Sequence, residues 1–264
     1  MILRHIGNLP EYTKKISPGR PKIPLEKVLL MTLWHLGNQE SLRSIADRFG
    51  VTESSVYACI RKLCKTIVNH LSAKFIQWPT LSQERFQRTT AGFEYGLAMS
   101  GRIGCRDCTH IHMKAPQVQE GAYVNRNGFP SLILQCVCDH QRRFTDVFCG
   151  CTGSTHDASV LRSSPIYNEV VHNREKFFPG EHYIIGDQAY PLNNWLLKKY
   201  QDNDRLSENE RRFNKHLSVK RQLIEEAFGI LKGRFRKLKM LDIDIIEDIP
   251  EIEITTCTLH NICC

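Results

Sequence analysis

Ile103-Gly104-Cys105-Arg106-Asp107-Cys108-Thr109-His110 decides how the rest of the chain is read. It alternates enough to be part of a strand over 102–113, and it carries a carboxylate, Asp107, in its middle. Alternation places Ile103, Cys105, Asp107 and Thr109 on one face, with Gly104, Arg106, Cys108 and His110 on the other. Further along, 131–139 is rich in β-formers, and 144–149 is expected to pair with it across the polar turn 140–143. A short helix is expected over 157–163. His182-Tyr183-Ile184-Ile185-Gly186 reads as a buried strand ending at Asp187. Residues 192–198 look helical, and the longest helix is expected over 207–238, with the apolar stripe Ile224, Phe228, Leu231, Phe235 and Leu238. Residues 100–264 are therefore read as one mixed α/β domain.

Residues 1–80 read as all-helical. Apolar stripes at helical spacing run through Leu25–Leu36, Leu42–Phe49 and Val56–Ile67. The last two, with Ala46 at the contact and Gly50 in the turn, match a helix-turn-helix over about 41–65. Its second helix would present Ser54, Ser55 and Tyr57 to base edges and Arg61, Lys62 and Lys65 to phosphates. The plainer reading is a helical hairpin packed on the larger domain. Residues 17–24 are too rich in proline and glycine for a helix. Trp78-Pro79-Thr80 closes the helical part, leaving 81–99 as a linker.

The chain has 264 residues, 41% of them hydrophobic and 24% charged, which excludes wholesale disorder, collagen and a membrane bundle. No apolar run approaches the ~18 residues of a spanning helix, so no membrane association is expected. The first residues lack the apolar core of a secretory signal. With 11 cysteines and no such signal, a reducing compartment is expected. Residues 1–90 hold 14 Lys and Arg against 6 Asp and Glu, the whole of the net +8. That asymmetry favours a polyanionic partner, through counterion release from phosphates.

Asp107, Asp187 and one of the helical pair Glu225 and Glu226 are the candidate chemistry. Two sheet carboxylates and one helical carboxylate can hold a pair of hard divalent ions. Two such ions ~3.5–4 Å apart stabilise the attacking and leaving oxygens of phosphoryl transfer. Without a cation, two carboxylates ~4 Å apart repel by about 4 kcal/mol at an effective dielectric of ~20. Composition and spacing alone favour three unrelated acids.

Six blocks in order carry a resemblance. They begin at Asp107-Cys108-Thr109-His110-Ile111 with Lys114-Ala115-Pro116, then Tyr123-Val124-Asn125-Arg126-Asn127-Gly128-Phe129. Gly153-Ser154-Thr155-His156-Asp157-Ala158-Ser159 and Gly186-Asp187-Gln188-Ala189-Tyr190-Pro191-Leu192 follow. The last two are Ile224-Glu225-Glu226-Ala227-Phe228-Gly229 and Leu259-His260-Asn261-Ile262-Cys263. In these blocks the chain resembles the PIF/Harbinger transposases and the Harbinger transposase-derived nucleases. The resemblance implies an α/β, RNase H-like mixed sheet flanked by helices, as a DDE domain behind the helix-turn-helix. It implies a triad of Asp107, Asp187 and Glu225 binding Mg²⁺ or Mn²⁺ and hydrolysing DNA phosphodiesters. His156 and Asp157 become accessory residues near that site, with Ser154 or Thr155 as a helix cap in the plainer reading. DNA, a Myb/SANT-like protein and a second copy of the chain are the implied partners, with a nuclear and also cytoplasmic location. The alternative of the same descent is a catalytically silent DNA-binding or adaptor protein.

Two residues depart from the family's Asp-Gly-Thr-His block: Cys108 replaces the glycine and Arg106 precedes the aspartate. An unpaired buried arginine costs several kcal/mol. Arg106 is therefore expected to find a carboxylate or backbone partner, or to deform the strand, and reduced activity is the expectation that follows. A competing reading gathers Cys105, Cys108, His110 and His112 around zinc. Residues 198–239 hold 13 Lys and Arg against 6 acids. Lys232 and Arg234 in that segment are read as DNA-phosphate contacts, against plain charge complementarity at a helix C-terminus. The chain stops at Cys264, where further residues are expected.

Overall fold

The computed structural model describes residues 2–9, 12, 22–80, 84–94, 101–116, 120–202, 205–242 and 246–264. The expected non-helical segment 17–24 lies outside the described residues as far as residue 21. Four helices open the chain: α1 (Ile2–Ile6), α2 (Leu25–Gly37), α3 (Leu42–Phe49) and α4 (Glu53–Ile67). The connection from α3 to α4 is built from local chemistry. Ser41 caps α3 by accepting from the Ser44 N–H. Gly50 then turns left-handed at φ 57, where a side chain would be strained. Thr52 caps α4 by accepting from the Ser55 N–H.

This helical part has no core of its own. One hydrophobic cluster runs from Ile6, Leu36, Ile45 and Leu63 to Cys136, Leu231 and Leu259. Each buried Leu or Ile contributes roughly 1.5–3 kcal/mol, so the cluster binds the opening helices to the rest of the chain. The stretch read as a linker over 81–99 contains α5 (Glu84–Glu94), whose Phe86 and Phe93 are buried. The Phe93 ring lies 4.2 Å under the Arg102 guanidinium. Residues 81–83 and 95–99 of that stretch lie outside the described residues.

The sheet comprises β1 (Arg102–His112), β2 (Ser131–Cys138), β3 (Phe144–Thr152), β4 (Tyr183–Ile185) and β5 (Leu196–Leu197), in the order β3-β2-β1-β4-β5. β1, β2 and β3 are antiparallel neighbours, whereas β4 and β5 run parallel to β1. The helix expected over 192–198 is instead β5. The Ile184 and Gly186 N–H groups need acceptors, and the Trp195 and Leu197 carbonyls supply them at 2.9 Å.

The front of the sheet is covered by α8 (Glu208–Arg234) and α9 (Ile249–Cys263), and the back by α6 (Asp157–Ser163) and α7 (Pro165–His172). A register shift between Arg102 and Gly104 moves Ile103 to the back, against Val137 and Ile184. Simple alternation had placed it on the Asp107 face. The long helix starts at a full capping box between Ser207 and Glu210. It stops at Arg234, four residues short of the expected end, because Phe235 leaves helical geometry and a 3₁₀ turn (Arg236–Lys239) follows. Among the described residues no helix is long and apolar enough to cross a membrane.

Candidate functional site

Asp107 points to the front from the middle of β1, opposite Cys136 of β2. Arg221 and Glu225 stand one turn apart on α8, so they share a helix face. The Arg221 guanidinium donates through Nη1 to Asp107 Oδ2 and through Nη2 to Glu225 Oε1. One cation thus joins two acids that are far apart in the chain. Asp107 Oδ1 also accepts from the Cys108 N–H at 2.9 Å. Burial nonetheless pushes the Asp107 carboxyl up to about 6, against the pull of Arg221 and that N–H, and Asp187 and Asp157 add to the push.

Asp187 follows β4, after Gly186. A Cβ at Gly186 would lie 2.9 Å from the Tyr190 ring and 3.0 Å from a Leu196 methyl, so only glycine lets the strand end this tightly. Glu226 turns away from Glu225 and pairs with Arg142 of the β2–β3 turn at 2.6 Å. Geometry therefore separates the two adjacent glutamates: Glu225 shares a cation with Asp107, and Glu226 does not. The donors are hard oxygens, the type a divalent ion takes. Asp107 and Glu225 already meet around one positive charge. Among the described residues, no three acids, histidines or cysteines form a group that could hold a metal ion.

The accessory and departing residues are also placed. His156 occupies the N-cap position of α6 and makes no cap bond, so neither Ser154 nor Thr155 caps this helix. Asp157 begins α6 and raises the pKa of both Asp107 and Cys108. Gly153 is sterically required, since a Cβ there would sit 2.3 Å from Ser131 Oγ and the Tyr123 carbonyl. Arg106 is completely buried at the back and donates to Ser164 Oγ at 3.4 Å. It does not enter the acid site. Cys108 also faces the back, 3.1 Å from the Tyr190 hydroxyl. All 11 cysteines are unpaired thiols, and the zinc grouping is not assembled among the described residues.

Several residues read as DNA contacts are engaged internally. The Lys232 ammonium donates at 2.8 Å to Thr109 Oγ1 and to the His110 carbonyl. Burial lowers its pKa to about 8. Arg234 donates to the His260 carbonyl at 3.2 Å. Both act as struts between α8 and its neighbours, and Arg234 is exposed besides. On α4, the Tyr57 hydroxyl and Arg61 both reach the Asp248 carboxylate at 2.8 Å. Ser55 Oγ lies 2.8 Å from Thr52 Oγ1, and Lys62 sits over the Tyr12 ring at 5.0 Å. Ser54 and Lys65 are exposed.

Sequence reasoning missed Arg221, whose four-residue spacing from Glu225 was visible but reads as an ordinary helix-surface pair. It also left Asn261 without a role. The Asn261 amide donates to the Phe144 carbonyl at 2.7 Å and accepts from its N–H at 2.8 Å, clamping the start of β3.

A family model described as DDE superfamily endonuclease matches residues 106–261. The chain is 31% identical over 223 residues to "Putative nuclease HARBI1" of Rattus norvegicus, covering 83% of this chain and 61% of that protein. It is 31% identical over 262 residues to "Protein ALP1-like" of Arabidopsis thaliana, covering 93% of this chain and 62% of that protein. The chain thus spans about three fifths of the length of the curated relatives it matches. The solved structure of a pre-cleavage Mos1 transpososome aligns at 14% identity over 98% of this chain and 84% of that chain, with a TM-score of 0.20.

Proposed function

We propose, from the premise that this chain belongs to the DDE superfamily endonuclease family, that it is a Harbinger transposase-derived nuclease hydrolysing DNA phosphodiesters through Asp107, Asp187 and Glu225. The observation that carries the reading is the Arg221 fork, which draws Asp107 and Glu225 to a single cation. The sheet order β3-β2-β1-β4-β5, with three antiparallel strands followed by two parallel ones, supports an RNase H-like architecture.

In this reading Asp107 and Glu225 would hold a hard cation, Mg²⁺ or Mn²⁺, when Arg221 releases them, and Asp187 would complete the set. The ion would supply charge neutralisation at the phosphate and an acidified water. Arg221, once released, stays beside the scissile phosphate as a planar donor suited to its oxygens. His156 and Asp157 flank the acids from α6. The family resemblance adds a Myb/SANT-like partner and a nuclear site of action, and α3 and α4 are the segment that would read DNA.

A second reading is a silent DNA-binding or adaptor protein. Its support is that Tyr57 and Arg61 are held by Asp248 and that Arg221 fills the space between two acids. Nicking of supercoiled plasmid in Mg²⁺ or Mn²⁺ separates the two. The nuclease reading expects wild-type cutting that falls by at least ~10³-fold in Asp107→Ala, the scale of losing one member of a unit that acts together. Equal cutting by both proteins would overturn it. Salt-sensitive DNA binding with no cutting selects the adaptor.

A further inference from the structure

A cationic cavity of about 680 Å³ lies between α5, the β2–β3 turn and the helical turn Ala73–Phe75. Lys74, Arg85, Arg88 and Arg143 line it, with two acids, Glu84 and Asp139, among them. Asp139 is 3% exposed, and its Oδ1 accepts from the Gln141 and Arg143 N–H groups at 2.9 and 3.0 Å, so it is committed to shaping the turn. Arg88 is matched by Glu84 across 2.5 Å at the rim. Arg85 makes no hydrogen bond or ion pair among the described residues. Arg143 Nε is sealed from solvent without a partner, and Nη2 donates to the Cys264 carbonyl at 3.0 Å. The His140 Nδ1 is likewise sealed and unpartnered. Burial weakens the hold of Arg85 on its proton; Asp139 opposes this, and the neighbouring Arg143 adds to it. Two guanidiniums brought together with open donors suit an oxyanion that both can fork onto.

We propose that this cavity is a second phosphate site, which seats the backbone of the DNA whose scissile bond lies at the acids. It rests on the reading of the chain as a protein that acts on DNA. The connection to the acids is physical. The turn that carries Arg143 also carries Arg142, which holds Glu226 beside Glu225. Asp139 lies three residues beyond Cys136, the cross-strand partner of Asp107. At ~3.3 Å per residue that is about 10 Å along the strand, or roughly three base-pair steps of a duplex. The site adds phosphate contacts at some distance from α8, where Lys232 is held internally.

The test is fluorescence anisotropy of the full chain with a labelled 20-base-pair duplex, in EDTA, across a KCl series. Arg85→Ala is the main variant, because Arg85 has no hydrogen bond or ion pair among the described residues. Its salt slope is expected to fall by about 0.9, one phosphate contact, with a ~3–10-fold loss of affinity. Arg85→Lys should restore most of the slope. Lys215→Ala, an exposed α8 cation away from the cavity, serves as the charge control. An unchanged slope in Arg85→Ala overturns the proposal, as does an equal fall in Lys215→Ala or a wild-type chain that does not bind the duplex. Since no metal is present, Arg85-dependent binding without plasmid cutting would sink the nuclease reading and leave this site standing.

Discussion

The two faces of β1 hold charge in opposite ways. At the front, Asp107 has 15% of its side chain exposed and shares Arg221 with Glu225, whose side chain is 53% exposed. At the back, Arg106 is fully buried with one long bond to Ser164 and with Nε and Nη1 unpartnered. The charge that answers it is Asp146, reached across the register Arg106, Val137, Asp146, with Oδ2 also sealed and unpartnered. The front can therefore exchange one cation for another at the cost of a partly wet ion pair. The back cannot, because any exchange would strand a dry charge. The arginine that departs from the family's first block is thus a structural residue, and the arginine that matters to the acid site is Arg221.

The largest effect is expected where the front layer departs from its own rule. Glu253 of α9 is fully buried, and neither carboxyl oxygen has a hydrogen-bond partner. Burial pushes it up to about 8, while the Cys149 thiol of β3 and Lys232 of α8 pull it down. The folded chain keeps a proton that the unfolded chain loses, so stability is full below pH ~4.5 and falls as pH rises through about 8. Above that, Lys232, lowered to about 8, gives the opposite slope up to its ordinary range near ~10.4. Glu253→Gln should therefore be more stable than wild type by roughly 3–5 kcal/mol at pH 8 and nearly equal to it at pH 4. Urea unfolding at the two pH values checks this, and a difference independent of pH would refute it.

Next in size is the back face. Asp146→Leu should destabilise by roughly 3 kcal/mol, since it leaves Arg106 buried without an answering charge. Adding Arg106→Met should return most of the loss, and the folded double variant should bind Mn²⁺ as wild type does. Urea midpoints measure the first claim and titration calorimetry the second. If Asp146→Leu alone is neutral, the two faces do not differ in the way described.

A smaller effect is expected at the front. Arg221→Gln keeps a polar side chain but removes the resident charge. Mn²⁺ should then bind on the order of ten times more tightly, because no ion pair has to be broken, with a change of about 1.4 kcal/mol. Weaker Mn²⁺ binding by titration calorimetry would show instead that Arg221 organises the acids for the metal.

How much of this was legible follows from how local each cause is. Ser41, Gly50 and Thr52 act within four residues, so the α3–α4 connection could be read directly. β1 and β2 were legible from their composition, and α6 matches the expected 157–163. Ile103 was assigned to the wrong face because a bulge is set by the partner strand, and alternation contains no sign of it. Leu196 and Leu197 are too short an apolar run to tell strand from helix, and only the open edge of β4 decides. The resemblance brought Asp107, Asp187 and Glu225 forward; the Arg221–Asp107 pair and the pairs made by Asp248 are long-range, and no spacing reveals them. The same holds for α5, which looks like a linker until Phe86 and Phe93 find the sheet.

The α3–α4 pair poses the same choice as β1: its cations are either exchangeable or sealed. Asp248 is 7% exposed, and it takes both the Tyr57 hydroxyl and Arg61, whose side chain is 51% exposed. An arginine that wet, paired with a carboxylate, is worth below ~1 kcal/mol. Phosphates can compete for it, whereas Tyr57, less exposed than Arg61, gives its hydroxyl to the same carboxylate. Arg61→Ala should therefore leave the urea midpoint nearly unchanged while lowering the salt slope of duplex binding by about one phosphate contact. Tyr57→Phe should do the reverse, with a stability loss of roughly 1 kcal/mol and unaltered DNA binding. If Arg61→Ala instead destabilises the fold and leaves the salt slope untouched, α4 is a strut between the opening helices and α9, and DNA recognition belongs elsewhere on the chain.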